Sequence, residues 1–104
     1  MRFLLKVNIP VEEANECIKK GTFAATMNSI LLDTKPETVY FGAENGTRTA
    51  FIFLNMNDPS DIVKYAEPWF LAFNAEVEYI PVMNPDDLQK GSVHFEQLVK
   101  KYTV

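Results

Sequence analysis

The chain has few of the residues from which disulfides, metal sites and catalytic motifs are built. Its 104 residues include one cysteine, Cys17, and one histidine, His94. A single cysteine cannot form an intramolecular disulfide, so no oxidising compartment is required and a cytoplasmic location is expected. One Cys and one His that lie far apart in sequence do not have zinc-site spacing, so we expect no bound metal.

Glycine, basic residues and long apolar runs are also scarce. The four glycines are isolated, so the chain has no glycine-rich phosphate loop and no nucleotide cofactor is expected. Ten Lys and Arg against 14 Asp and Glu give a net charge of -4, which argues against nucleic acid as a partner. Lys6 and Asn8 interrupt the apolar N-terminus MRFLLKVNIP, and no segment approaches the ~20 apolar residues of a membrane span. We therefore expect neither a signal peptide nor a membrane partner.

The residues that are present are typical of a folded globular protein. Apolar residues make up 47% of the chain and charged residues 23%, and the simplest interpretation is one domain over residues 1–104. Hydrophobic periodicity and turn residues predict the element order βαββαβα. The predicted elements are a strand at 2–9, a helix at 11–33 interrupted at Gly21-Thr22, strands at 38–42 and 48–55, a helix from 58–61 to Phe73, a strand at 76–82 and a last helix from Asn84 to Tyr102.

This order predicts an α+β, ferredoxin-like fold: a four-stranded antiparallel sheet with helices on one face, followed by an extra C-terminal helix. The hairpin around Asn45-Gly46 is apolar on both faces, with Phe51 and Phe53 opposite Ile52 and Leu54. We expect Ile52 and Leu54 to face away from the helices. If they were exposed to water there, each would lose the roughly 1.5–3 kcal/mol that burial of such a side chain contributes. A second copy packed sheet to sheet as a two-fold homodimer would cover them. The alternative is a monomer that leaves these residues in water.

Two segments carry a family resemblance, KPETVYF at 35–41 and AEPWFLAFNAEVEYIPVM at 66–83. With the element order and the doubly apolar hairpin, they resemble a small bacterial branch of the dimeric α/β-barrel superfamily. The resemblance implies ferredoxin-like subunits that pair through their sheets into a dimeric α/β barrel. That superfamily includes cofactor-independent monooxygenases, muconolactone isomerase, haem-degrading and haem-bleaching enzymes, and members with no known reaction. Membership therefore does not by itself assign a function.

The segment YAEPWFLAFN at 65–74 places three aromatic residues at helical spacing, Trp69, Phe70 and Phe73. They are the predicted ligand-binding residues, because the resemblance implies that apolar ring substrates lie between helices and sheet. Packing of the helix on the sheet is the alternative. Pro68 lacks the amide that would bond to the carbonyl of Lys64, so we expect an interrupted helix and a Trp69 turned toward a pocket mouth.

Three side chains are candidates for proton transfer: Glu67, Tyr65 and His94. Histidine has an unperturbed pKa of about 6.5, although a lone His on a helix is also an ordinary structural residue. A haem-binding relative would supply a proximal histidine, and His94 lies outside the βαββαβ core, so we expect no haem or other cofactor. The predicted function is binding of a small apolar or aromatic ligand by a homodimer. The alternatives are a cofactor-independent monooxygenase or isomerase, and a structural or regulatory dimer without a ligand.

Overall fold

Four antiparallel strands and the helices that follow them make up the α+β fold of the computed structural model, which describes residues 1–104. The elements are β1 (Arg2–Ile9), α1 (Val11–Lys20), α2 (Phe23–Thr34), β2 (Thr38–Glu44), β3 (Thr47–Asn55), α3 (Asp61–Phe73), β4 (Glu76–Pro81), α4 (Pro85–Gly91) and α5 (Phe95–Tyr102). A 3₁₀ turn at Ser92–His94 joins α4 to α5.

The sheet has the strand order β2-β3-β1-β4, and every neighbouring pair is antiparallel. This arrangement is compatible with the expected ferredoxin-like fold. In the register, Leu5 lies opposite Ile52 and Tyr79, and Val7 lies opposite Ala50 and Val77. Because side chains alternate along a strand, these residues share one face of the sheet, and that face packs against α1, α2 and α3 in a continuous apolar core.

Backbone conformations with positive φ end the elements where the sequence predicted breaks. Gly21 has φ 76° and closes α1, so the predicted interruption of the first helical region is confirmed. Asn45 and Gly46 have φ 52° and 77° and form the predicted tight turn between β2 and β3. These are positions where a residue with a bulky side chain would be strained.

The predicted interruption of the helix at Pro68 is wrong, because α3 continues from Asp61 to Phe73 with Pro68 inside it. Proline inside a helix removes one amide donor and crowds the carbonyl four residues earlier, which together cost about 3 kcal/mol. Burial of Trp69 and Phe73, at roughly 1.5–3 kcal/mol for each side chain, offsets this cost. Packing therefore holds the helix together, and Trp69 points into the core.

The last helical region is divided rather than continuous. Gly91 and Ser92 lie at the junction of α4 and the 3₁₀ turn, and Ser92 Oγ donates to the carbonyl of Gln89 at 2.6 Å. Glycine is a poor helix former, and a serine hydroxyl that bonds to a nearby carbonyl favours a tighter turn. The predicted single C-terminal helix is thus two short helices.

The apolar residues on the open face of the sheet are not the expected ones. Ile52 and Leu54 are buried in the core between sheet and helices, so the expectation that they face away from the helices is wrong. The register determines this, because Ile52 is paired with the core residue Leu5. The open face instead carries half-buried Phe51 and Phe53. Its other large apolar side chains are Leu4, Tyr40 and Ile80.

The aromatic residues of α3 make different contributions to stability. Trp69 is 1% exposed and Phe70 is 42% exposed on the same helix. We expect Trp69→Ala to lower the free energy of unfolding by about 3–5 kcal/mol, because it empties a large volume in the core. The matched control Phe70→Ala is expected to lower it by less than about 1 kcal/mol. Urea unfolding followed by circular dichroism checks this, and equal losses in the two variants would contradict the packing described above.

Candidate functional site

The cavity that best fits a small ligand lies between α2 and the strands beneath it. Its volume is about 350 Å³, at the lower end of the roughly 300–1,000 Å³ of small-molecule sites. Ile9 and Ala50, both buried, line the sheet side. The cavity opens beside β2, where Phe41 lines it and remains exposed. We call it the α2 cavity.

Helix α2 supplies one wall of the α2 cavity. Phe23, Met27 and Leu31 recur at four-residue intervals, so they project from the same side of the helix. Ala24 and Asn28 directly follow Phe23 and Met27 in the sequence and also line the cavity. The wall is consequently apolar, with one amide side chain in it.

Arg48 is the only ionisable side chain in the lining. Its Nη1 donates to Oδ1 of Asn15 on α1 at 3.0 Å, which holds the guanidinium near the cavity. The hydroxyl of Thr49 is used elsewhere, because Thr49 Oγ1 donates to Asn8 Oδ1 at 2.9 Å. Arg48 and Asn28 are therefore the polar side chains that remain for binding an oxygen-bearing group on a ligand.

The predicted ligand-binding residues lie behind the cavity wall rather than in it. The rings of Trp69 and Phe73 are stacked with centroids 6.0 Å apart, and Phe73 lies 5.4 Å from Phe23. Phe23 is the member of this aromatic row that lines the α2 cavity, whereas Phe70 is exposed on α3. The indole of Trp69 is thus two rings away from the cavity.

The three candidates for proton transfer are not brought together. Glu67 is exposed on α3, His94 is exposed in the 3₁₀ turn, and Tyr65 is half-buried against the core. None of them lines the α2 cavity. A catalytic role for these residues stays a prediction without support from their placement.

The residues that line the cavity were not singled out from the sequence as a site. Phe23, Met27 and Leu31 were visible only as the apolar side of a helix, a pattern that core packing produces equally well. Arg48 offered a sharper signal, because it is the one charged residue in the strand TRTAFIFLN. Its closeness to α1 depends on the tertiary fold.

The structure contains no group of three or more His, Cys, Asp or Glu side chains placed to hold a metal ion. None of its helices combines the length and the apolar character of a bilayer-spanning segment. No family model matches the chain, and no curated protein matches it.

A cluster of charges lies on the open face of the sheet. Lys6 Nζ is 2.9 Å from Glu44 Oε1 and 3.5 Å from Glu78 Oε1. The hydrogen bond to Glu44 raises the pKa of Lys6 above its ordinary value, and partial desolvation opposes this effect. The lysine is therefore already paired with carboxylates of the same chain.

Tyr79 is the residue whose protonation is most strongly perturbed. Its hydroxyl donates to the carbonyl of Ile62 at 3.1 Å. Burial raises the pKa of Tyr79 to about 12, and the nearby Tyr65 adds a smaller effect in the same direction. The phenol is kept neutral, which suits its role in joining β4 to the start of α3.

The raised pKa of Tyr79 predicts that the protein loses stability in alkali. Below pH 10 the phenol is neutral in both states, whereas between pH 10 and about 12 the unfolded state loses the proton first. The free energy of unfolding should therefore fall as the pH rises through that window. We expect a shallower fall in Tyr79→Phe than in the unmodified protein. The control Tyr102→Phe, whose ring is exposed on α5, should show the same fall as the unmodified protein. Urea unfolding at a series of pH values measures this, and parallel profiles for Tyr79→Phe and the unmodified protein would contradict it.

Proposed function

We propose that this protein is a homodimer that binds a small, largely apolar organic ligand in the α2 cavity. The observation that carries the proposal is an apolar cavity of about 350 Å³ with one guanidinium and one amide side chain in its lining. Apolar walls with a small number of polar groups are the usual composition of small-molecule sites.

The lining indicates the chemistry of the ligand. An apolar ring would pack against Phe23, Met27 and Leu31, while a carboxylate or carbonyl oxygen would accept from Arg48 and Asn28. An arginine side chain does not act as an acid or base in proteins. The cavity residues therefore favour binding over proton-transfer catalysis, and a cofactor-independent enzyme has less support.

The open face of the sheet supports the homodimer. Phe51, Phe53, Leu4, Tyr40 and Ile80 lie on this face, and the chain places no helix over it. A second copy can cover it with the same surface, since a two-fold interface is self-complementary. The resemblance to the dimeric α/β-barrel superfamily favours the same arrangement.

The charged cluster on the open face is compatible with such an interface. Lys6 would enter the interface with Glu44 and Glu78 already beside it, so no lysine is left without a counter-charge. Pairing of this kind reduces the cost of removing a charge from water. We therefore expect the subunits to pack sheet to sheet around a partly polar centre, as a dimeric α/β barrel.

Filling the α2 cavity should weaken binding while leaving the fold intact. Ala24 lines the cavity, and Ala25 is exposed beside it on the same helix without lining it. With 2-naphthoate as the probe, we expect Ala24→Phe to raise the dissociation constant at least ~10-fold, or about 1.4 kcal/mol. Ala25→Phe should leave it within about 2-fold, a change of only a few tenths of a kcal/mol.

Amide chemical shifts and Trp69 fluorescence measure this binding. The fluorescence should respond because Phe23 and Phe73 connect the cavity to the indole. If the unmodified protein gives no saturable shift at residues of the α2 cavity with naphthoate or with neutral aromatic compounds, the ligand proposal fails.

A charge on the open face should separate the subunits. We expect Phe53→Lys to be monomeric at concentrations where the unmodified protein is dimeric, because it places a second lysine in an apolar part of the face. Val63→Lys on α3 is the control, since Val63 is exposed and lies away from this face. Light scattering at several concentrations measures both, and a monomeric unmodified protein at high micromolar concentration would disprove the dimer.

A further inference from the structure

The last helical region leaves a second apolar surface without a partner. Residues 85–102, here called the C-terminal arm, contain α4, the 3₁₀ turn and α5, and none of their side chains is buried. Its large apolar side chains are 47–74% exposed. On α5, Phe95, Leu98, Val99 and Tyr102 recur at three- and four-residue spacing, so they form one continuous apolar face.

The C-terminal arm projects from the rest of the molecule. The radius of gyration is 17.6 Å, against about 13 Å for a compact chain of this length. The molecule is 60 Å along its longest axis and 28 Å and 21 Å along the others. A helical segment of this length spans roughly 27 Å, which accounts for the elongation. The helices of the arm contact the 3₁₀ turn between them, and neither has an extensive contact with the sheet.

The base of the C-terminal arm is firmly positioned. Asn84 and Asp87 form a reciprocal capping box at the start of α4. Arg2 Nη1 lies 4.0 Å from Asp87 Oδ2, and Arg2 Nε donates to Glu37 Oε2 at 3.0 Å, just before β2. The arm therefore starts at the end of the sheet where β2 also begins, and its initial direction is set by contacts with the body.

An arm of this kind needs a surface to pack on. Its helices have seven and eight residues, whereas isolated helices shorter than about 12–15 residues are marginal in water. Exposure of the apolar face of α5 also forfeits the free energy that its burial would provide. Both points indicate that another molecule covers this face.

Charge complementarity indicates that this molecule is a second copy of the chain. Residues 88–104 contain three lysines and one glutamate. Residues 1–87 contain seven Lys and Arg against 13 Asp and Glu. Asp86 and Asp87 at the base of the arm offset two of its lysines, so the arm as a whole has no net charge. Beyond Asp87, however, the chain carries a net charge of +2 against -6 for residues 1–87, and the outer part of the arm is therefore attracted to the acidic body across a subunit boundary.

The β2 edge offers the matching apolar surface. The outer side of β2 has no neighbouring strand. Tyr40 and Phe41 on β2 are 63% and 59% exposed. Side chains as large as these at an unpaired edge are unusual, because such edges are normally protected by charge or covered.

Symmetry allows the arm to reach this edge. When two sheets pack face to face, a two-fold axis parallel to the strands places β4 of one subunit opposite β2 of the other. An axis perpendicular to the strands places β4 opposite β4. The arm leaves from the end of β4, and that end of the sheet also holds the start of β2. Only the first arrangement brings the arm to the β2 edge of the other subunit.

We propose that the C-terminal arm of each subunit packs across the β2 edge of the second copy. This proposal rests on the sheet-to-sheet homodimer proposed above, and it adds an exchanged element to that dimer. Because Phe41 also lines the α2 cavity, the exchanged arm covers the side on which the cavity opens.

The full-length double variant Phe95→Gln/Leu98→Gln tests the contact without changing the charge. The control is Glu96→Gln/Lys100→Gln, which also preserves the net charge and removes only an exposed ion pair. By analytical ultracentrifugation, we expect the first variant to raise the dimer dissociation constant at least ~10-fold and the control to change it less than about 2-fold. Equal dissociation constants for the unmodified protein and the first variant would overturn the arm proposal.

Mixed dimers show where the arm lies. A spin label is attached at Lys101→Cys in a Cys17→Ser background, and this subunit is mixed with an unlabelled ¹⁵N subunit. We expect line broadening of ¹⁵N amides along β2 and at the end of α2, in the subunit that carries no spin label. A dimer without that broadening overturns the arm proposal and leaves the dimer standing, whereas a monomeric unmodified protein is a failure of the proposed dimer itself.

Discussion

The antiparallel register of β1 with β3 and β4 is the constraint on which the rest of the structure depends. On β3, the residues opposite Leu5 and Val7 are Ile52 and Ala50. On β4, the residues opposite them are Tyr79 and Val77. A shift of one residue would move all these side chains to the other face. The helices would then pack over the face that carries Lys6 and Glu78, and burial of these charges would disrupt the core.

The helices do not fill the space above the apolar face of the sheet equally well, and the α2 cavity is the space that remains. On α3, Trp69 and Phe73 fill the space above the sheet. On α2, the residues nearest the hairpin include the small Ala24 and the flexible Met27, which do not fill the equivalent volume. An apolar space beside a guanidinium results, and the ligand proposal depends on that combination.

The same chain leaves two apolar surfaces that its own elements cannot cover, the open face of the sheet and the C-terminal arm. Every helix that packs on the sheet does so on the other side, and the short helices of the arm lie beyond the body. The two-fold dimer that we propose would cover both surfaces with one symmetry operation. The body is acidic and the arm is basic beyond Asp87, which favours the contact between them.

The sequence by itself determined the element order, the break at Gly21 and the Asn45-Gly46 turn, because these depend on local periodicity and on backbone conformations that few residues adopt. The tertiary structure decided which face of β3 is buried, since alternation defines two faces and only pairing with β1 selects one. It also kept α3 continuous through Pro68, because burial of Trp69 and Phe73 offsets the cost of a proline inside the helix. The α2 cavity could not be read from the sequence, because its walls come from distant segments and an apolar helix face looks the same whether it meets a packed core or an empty space.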